Sequence, residues 1–164
     1  MIPVPPIASL RDFYAFEQHV KTCRAHRGLE MVPAWYKTPV FYFSNPIAIF
    51  HDGDQVPAPR GSAALDFELE LACVIGKAGG NLACDDSALD YVLGFTIMND
   101  WSARDIQRDE MAVGLGPSKS KDFATSLGPQ VVPFSNLKHH YRDGLLHLEM
   151  IARVNGREYS RGNS

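Results

Sequence analysis

Three stretches of the sequence predict a strand-rich α+β fold with mostly antiparallel pairing. LDFELELA (65–72) alternates in polarity and continues into CVI with no Gly or Pro before Gly76. YVLGFTIMND (91–100) is an apolar run closed by Asp100. LLHLEMIARV (145–154) alternates and meets Asn155-Gly156, a strong hairpin signal. Alternation at a period of two places successive side chains on opposite faces, which is the mark of a half-buried strand.

The rest of the chain fills in around these strands. PVPP (3–6) is an extended lead-in, and Ser9-Leu-Arg-Asp12 has the spacing of a capping box ahead of a helical stretch to Arg27, with Gly28 as its stop. Residues 29–49 are rich in Pro and aromatics and read as irregular backbone with short strands. HDGDQVPAPRGSA (51–63) is a loop. The segment from Lys77 to Tyr91 is a loop entering a short helix, with Asp85 to Ser87 as its caps. WSARDIQRDEMAVG (101–114) reads as a helical turn or loop, GPSKSKDFATSLGP (116–129) as a Gly/Pro-bounded loop, and VVPFSNL (131–137) as a short strand or crossing segment. We divide the chain into an N-terminal segment, 1–60, and the start of a β-rich domain, 61–164.

Composition narrows the function classes. The 164 residues are 45% hydrophobic with a net charge of −3 and a sequence pI of about 6.0, enough for one core and without the basic field of a nucleic-acid binder. No apolar run reaches membrane-spanning length, and no basic n-region precedes a long apolar segment, so neither a membrane anchor nor a signal peptide is expected. Cys23, Cys73 and Cys84 are odd in number and far apart, which fits neither a disulfide framework nor a zinc site and suits a reducing, cytoplasmic compartment. Cys73, inside an apolar strand, is expected in the core.

The candidate chemistry lies in carboxylates. On one strand, Asp66, Glu68 and Glu70 would share a face opposite Phe67, Leu69 and Leu71, and like charges that close need open water or a cation. Asp100 either delivers a carboxylate from core to cleft or caps the Trp101–Arg104 turn. Asp12 reads locally as a cap, and His19, seven residues on, would share its helical face. Lys119 and Lys121 read alone as solvated loop lysines.

Together these residues resemble the fumarylacetoacetate hydrolase family. The resemblance rests on Glu68-Leu69-Glu70, FTIMNDWSARDIQ (95–107) and GPSKSKDFATSLGP, with RDFYAFEQHV, TPVFYFSNP and RVNGREYSRGNS also matching. It implies a mixed β-roll, incomplete in this chain because members continue past a point equivalent to Ser164. It implies Mg²⁺, with Mn²⁺ or Ca²⁺ as alternatives, held by Asp12, Glu68, Glu70 and Asp100. It further implies Thr125 behind the metal, His19 as general base and Lys121 as the cation on a developing enolate. Tyr14, Arg27, Tyr42 and Gln107 would contact substrate. The activity implied is hydrolysis of a C–C bond in a β-diketo acid of the fumarylacetoacetate, fumarylpyruvate or acylpyruvate type through a metal-stabilised enolate. The alternatives are oxaloacetate decarboxylation, dienoic keto-acid isomerisation or hydration, and metal binding without catalysis. The partners implied are a small keto acid and a second copy of the chain in a homodimer, with no nucleic acid and no membrane. Outside the resemblance, an interaction protein with a solvent-facing acidic strand remains open.

Overall fold

The computed structural model describes residues 2–164. Its centre is a mixed four-stranded sheet in the order Ile49–Phe50, Thr125–Leu127, Val92–Asp100, Leu69–Ile75. The first pair is parallel and the other two are antiparallel. The Val92–Asp100 strand is the expected apolar run, central and ending on its carboxylate. Gly94 lies within it at φ +159°, where a Cβ would stand 2.3 Å from the Val132 carbonyl oxygen. That approach lets Phe95 and Val132 exchange backbone hydrogen bonds of 2.9 and 2.8 Å, tying the sheet to the Gln130–Val131 strand, which pairs in turn with Ile2–Pro3.

Two-stranded ribbons surround this sheet: Leu10–Phe13 with Phe41–Ser44, Leu65–Asp66 with Ser102–Ala103, Tyr141–Arg142 with Leu145–Leu146, and Glu149–Val154 with Arg157–Asn163. The last turns through Asn155 and Gly156 at φ 52° and 76°, the left-handed pair that a two-residue hairpin of this hand requires. Two helices matter for the site: α1, Glu17–Ala25, and α2, Arg104–Val113, which Gly114 closes at φ +87°. Asp85 caps the short helical turn Asp86–Tyr91, accepting from the Ser87 N–H as its position predicts.

Several expectations change. Ser9 to Asp12 do not cap a helix, because Leu10–Phe13 pairs residue for residue with the aromatic Phe41–Ser44 strand, and α1 begins only at Glu17. Within 101–114, Arg104–Val113 form a true helix, with Asp105 in its first turn and Gly114 as its C-cap. The 145–154 alternation splits between two hairpins, since Tyr141–Arg142 captures Leu145–Leu146. The 65–76 strand breaks after Asp66, so Asp66 sits in the ribbon with Ser102 rather than on one continuous face with Glu70.

The faces are also the reverse of those expected. Opposed residues of an antiparallel pair share a face, so Glu70, Ala72 and Val74 lie with Met98 and Thr96, all three of the last-named being buried. Leu71, Cys73 and Ile75 lie with Ile97 and Phe95 on the outer face, where Cys73 is exposed and Ile75 and Ile97 are each 64% exposed. The interior face is therefore the carboxylate face. Accordingly the buried set includes Asp100, Ser102, Ser120, Lys121 and Thr125 beside Val20, Val131, Leu127 and Ala103. The chain exposes 11301 Å², against about 8,100 Å² expected of a compact monomer of its mass.

Candidate active site

Asp100 ends the central strand and is 1% exposed. Its Oδ2 accepts from Lys121 Nζ and from Tyr42 Oη, each at 2.6 Å. Lys121 is 2% exposed, and its ammonium also donates to Ser102 Oγ at 2.7 Å and pairs with Glu68 Oε2 at 2.8 Å. Three donors meet three acceptors, so the buried cation is saturated. The other Glu68 oxygen accepts from Arg104 Nη1 at 2.6 Å, while Arg104 Nε donates to Asp66 Oδ2 at 2.7 Å and Nη1 also donates to Gln107 Oε1 at 2.9 Å. The apparent repulsion between Asp66 and Glu68 is thus met by Arg104 at the start of α2, held there because the Ser102–Ala103 ribbon leads straight into the helix.

Five carboxylates gather here against two cations. Burial drives Glu68 upward, but Lys121 and Arg104 outweigh it and hold its carboxyl below the usual range. Asp12 and Glu70 have no such ion pair among the described residues. Burial, then the Asp100 charge, pushes Asp12 up to about 7. Burial, then Asp12 and Glu68, pushes Glu70 up to about 8. Burial also raises Asp100 despite Lys121, and raises the Tyr42 phenol, which faces Asp100 and Asp12.

His19 lies apart from this cluster. It is exposed on α1, its ring edge-on to Tyr14 with centroids 5.8 Å apart and its Nε2 3.5 Å from Cys23 Sγ. Among the described residues, no hydrogen bond joins it to a carboxylate. Arg27 acts electrostatically on Tyr14, where it lowers a phenol raised mainly by burial and Cys23. The structure therefore brings together Asp12, Tyr42, Glu68, Glu70, Asp100, Gln107 and Lys121, with Thr125 paired beside Asp100 in the sheet. His19, Tyr14 and Arg27 form a second group. Sequence reading missed Ser102 and Arg104 as members of the site; both stand inside the NDWSARDIQ block, one and three residues past Trp101.

The donor set suits a hard divalent cation, since every unsatisfied group is an oxygen. Asp100 Oδ1 is buried with no hydrogen-bond partner. Asp12 and Glu70 add two carboxylates, each raised by burial and by neighbouring carboxylates, with no ion pair among the described residues. Among the described residues, no three His, Cys, Asp or Glu side chains already enclose a common point, because Lys121 takes up the inward oxygens of Glu68 and Asp100. The residues fit such an ion in chemistry and charge.

The comparisons with known proteins define the class. The fumarylacetoacetate (FAA) hydrolase C-terminal family model matches residues 9–164, and the chain belongs to that family. It is 36% identical over 157 residues to fumarylacetoacetase of Arabidopsis thaliana, covering 84% of this chain and 37% of that protein. A 2-hydroxyhepta-2,4-diene-1,7-dioate isomerase structure from Mycobacterium marinum superposes with a TM-score of 0.64 at 28% identity, over 77% of this chain and 46% of that one. Fumarylpyruvate hydrolase from Pseudomonas aeruginosa, solved with Mn²⁺ and pyruvate, shares the fold with a TM-score of 0.68 at 21% identity, over 96% of this chain and 65% of that one. The chain spans a little over a third of the length of the curated relatives it matches.

Proposed function

We propose that this site serves metal-dependent hydrolysis of a C–C bond in a β-diketo acid of the fumarylacetoacetate, fumarylpyruvate or acylpyruvate type. The observation that carries the reading is the buried Asp100–Lys121 pair joined by Glu68, with Asp100 Oδ1 unpartnered and Asp12 and Glu70 without an ion pair among the described residues. Asp12, Glu68, Glu70 and Asp100 would hold the ion, Mg²⁺ first with Mn²⁺ or Ca²⁺ as alternatives, and Thr125 would back it. Such an ion supplies Lewis-acid polarisation of a keto oxygen.

The chain's own groups do the rest. His19 takes a proton from water at an imidazole nitrogen as the water oxygen adds to the distal carbonyl carbon. The adjacent C–C bond breaks, and its electron pair passes to an enolate. Lys121, fixed in place before substrate arrives, stabilises that negative charge. The proton returns from His19 to the enolate carbon, giving a carboxylic acid and a keto acid. Tyr14, Arg27, Tyr42 and Gln107 contact the substrate, and Arg104 keeps Glu68 aimed. In this reading residues 1–60 contribute the base and Asp12, and residues 61–164 the remaining ligands and the lysine. A homodimer in the cytoplasm belongs to the same proposal.

Loss of acylpyruvate enol absorbance under Mg²⁺, abolished by EDTA and by Glu70→Gln, is the expected result. Turnover that ignores both treatments would sink the metal reading. The likeness to the Mycobacterium marinum isomerase favours one second reading, in which the same enolate is reprotonated without cleavage. Product analysis separates the two, because isomerisation leaves the substrate mass unchanged.

A further inference from the structure

Glu110 lies near the end of α2, outside the carboxylate cluster, and the site described above does not use it. Its side chain nevertheless gathers four hydrogen bonds from one loop. Oε1 accepts from the Ser118 N–H at 2.8 Å, from the Ser120 N–H at 3.4 Å and from the Ser120 hydroxyl, while Oε2 accepts from the Ser118 hydroxyl at 3.3 Å. The Glu110 Cγ also packs under the loop's start, where a Cβ on Gly116 would come within 3.1 Å of it.

The loop so held delivers Lys121. Ser120 is fully buried, and its carbonyl accepts from the Ala103 N–H at 2.9 Å. The Lys121 and Asp122 amides both turn back to the Ser118 carbonyl, at 2.9 and 2.8 Å. The two serines bound by Glu110 are thus the residues that fix the backbone on which Lys121 stands. A loop of this composition has no apolar side chain between Ser118 and Asp122 to anchor it, so its geometry rests on hydrogen bonds. A carboxylate with four donors is the strongest acceptor available for that task.

We infer that Glu110 is a positioning residue that sets the Lys121 ammonium among Asp100, Ser102 and Glu68. The catalytic consequence rests on the proposed function; the positioning itself does not. Replacing the carboxylate frees Ser118 and Ser120, the loop gains alternative conformers, and Lys121 leaves its three acceptors for part of the time.

The test reads Lys121 directly. The folded protein is pulsed with acetic anhydride, and acetylation of Lys119 and Lys121 is followed by mass spectrometry, with circular dichroism as the control for folding. In the wild type, Lys121 should react far more slowly than the exposed Lys119. Glu110→Ala should raise Lys121 labelling by about tenfold while leaving Lys119 unchanged, and Glu110→Gln, which keeps one acceptor oxygen, should fall between. If Glu110→Ala does not fold, Ser120→Ala, which removes one donor to Glu110, should show a smaller rise of the same kind. Unchanged Lys121 protection in the folded variants overturns the inference. Turnover adds a second readout: Glu110→Ala should lower kcat by about tenfold or more with KM little altered. In a Lys121→Ala background it should lower nothing further, and independent losses there would also overturn the inference. An inactive wild type would refute the proposed function, and the labelling result would still decide the role of Glu110.

Discussion

The buried lysine cluster and α1 handle charge in opposite ways. Lys121 and Asp100 are 2% and 1% exposed and meet where the 116–124 loop passes the end of the central strand, with every ammonium donor used. His19 sits on a nine-residue helix whose single fully buried residue is Val20, and whose other ties are exposed hydrogen bonds such as Tyr36 Oη to Glu17 at 2.7 Å. A buried charge whose donors are all taken up is preorganised before substrate binds, whereas a helix held at one point can shift. The electrostatic half of the site is therefore rigid, and the α1 half, which carries the proposed base, is adjustable.

The sharpest way to break this contrast is to delete one group from each half. Lys121→Met leaves Asp100 buried without its cation and Glu68 with Arg104 alone, and should cost about 3–5 kcal/mol in urea unfolding. His19→Ala removes an exposed ring and should change stability by less than about 0.5 kcal/mol, while lowering kcat by about 10²-fold or more if His19 is the base. Comparable stability losses from the two variants would erase the distinction.

Glu70→Gln tests whether the rigid half is built for a cation. An acid whose folded pKa is raised gains stability from its proton, fully present below its unfolded value of 4.5 and lost as pH rises through about 8. In EDTA at pH 9 the variant should thus be more stable than wild type, by about 1–2 kcal/mol once its partial exposure is allowed for. With Mg²⁺ or Mn²⁺ in hundredfold excess over its dissociation constant, wild type should gain about 2.7 kcal/mol and the variant little. The order of the thermal midpoints should therefore invert on adding metal. An order that stays the same would show that the carboxylates are not a cation site.

The adjustable half has its own handle. Val20→Ala removes two buried carbons from the one anchored position of α1 and should cost about 1–2 kcal/mol. Hydrogen exchange should rise across 17–25 and stay unchanged at 96–102. A rise in both would mean that the helix and the sheet open as one unit.

Legibility in the sequence followed the same division. The central strand, its terminal Asp100, the Asn155-Gly156 turn and the Asp85 cap were readable because each is local chemistry: a period, a turn pair, a side-chain acceptor. The placement of Asp12 was not, because its strand exists only through pairing with residues some thirty positions on. Nor was the reversal of faces on Leu69–Ile75. Alternation shows that two faces differ, but which one turns inward depends on the cations waiting there, and Arg104 and Lys121 come from elsewhere in the chain. The motif block named the site's position, and only the fold showed that Arg104 holds Asp66 and Glu68 together.

Asp105, in the first turn of α2, gives the smallest effect. Its carboxylate receives the Ser62 hydroxyl at 2.6 Å and the Ala63 N–H at 2.7 Å, fastening the 62–63 loop over the first turn of α2. These bonds, the Ser62 hydroxyl foremost, lower its pKa from 3.8 to about 2. A depressed carboxylate contributes stability that is present above its unfolded value and lost as pH falls through the folded one. Asp105→Asn should therefore be slightly less stable than wild type above pH about 4, with the gap closing by pH about 2 in acid unfolding curves. The loop it fastens leads directly into Leu65–Asp66, so the same variant should loosen the Asp66–Arg104 pair while leaving α1 untouched. A gap that persists at pH 2 would mean that Asp105 acts through its shape rather than its charge.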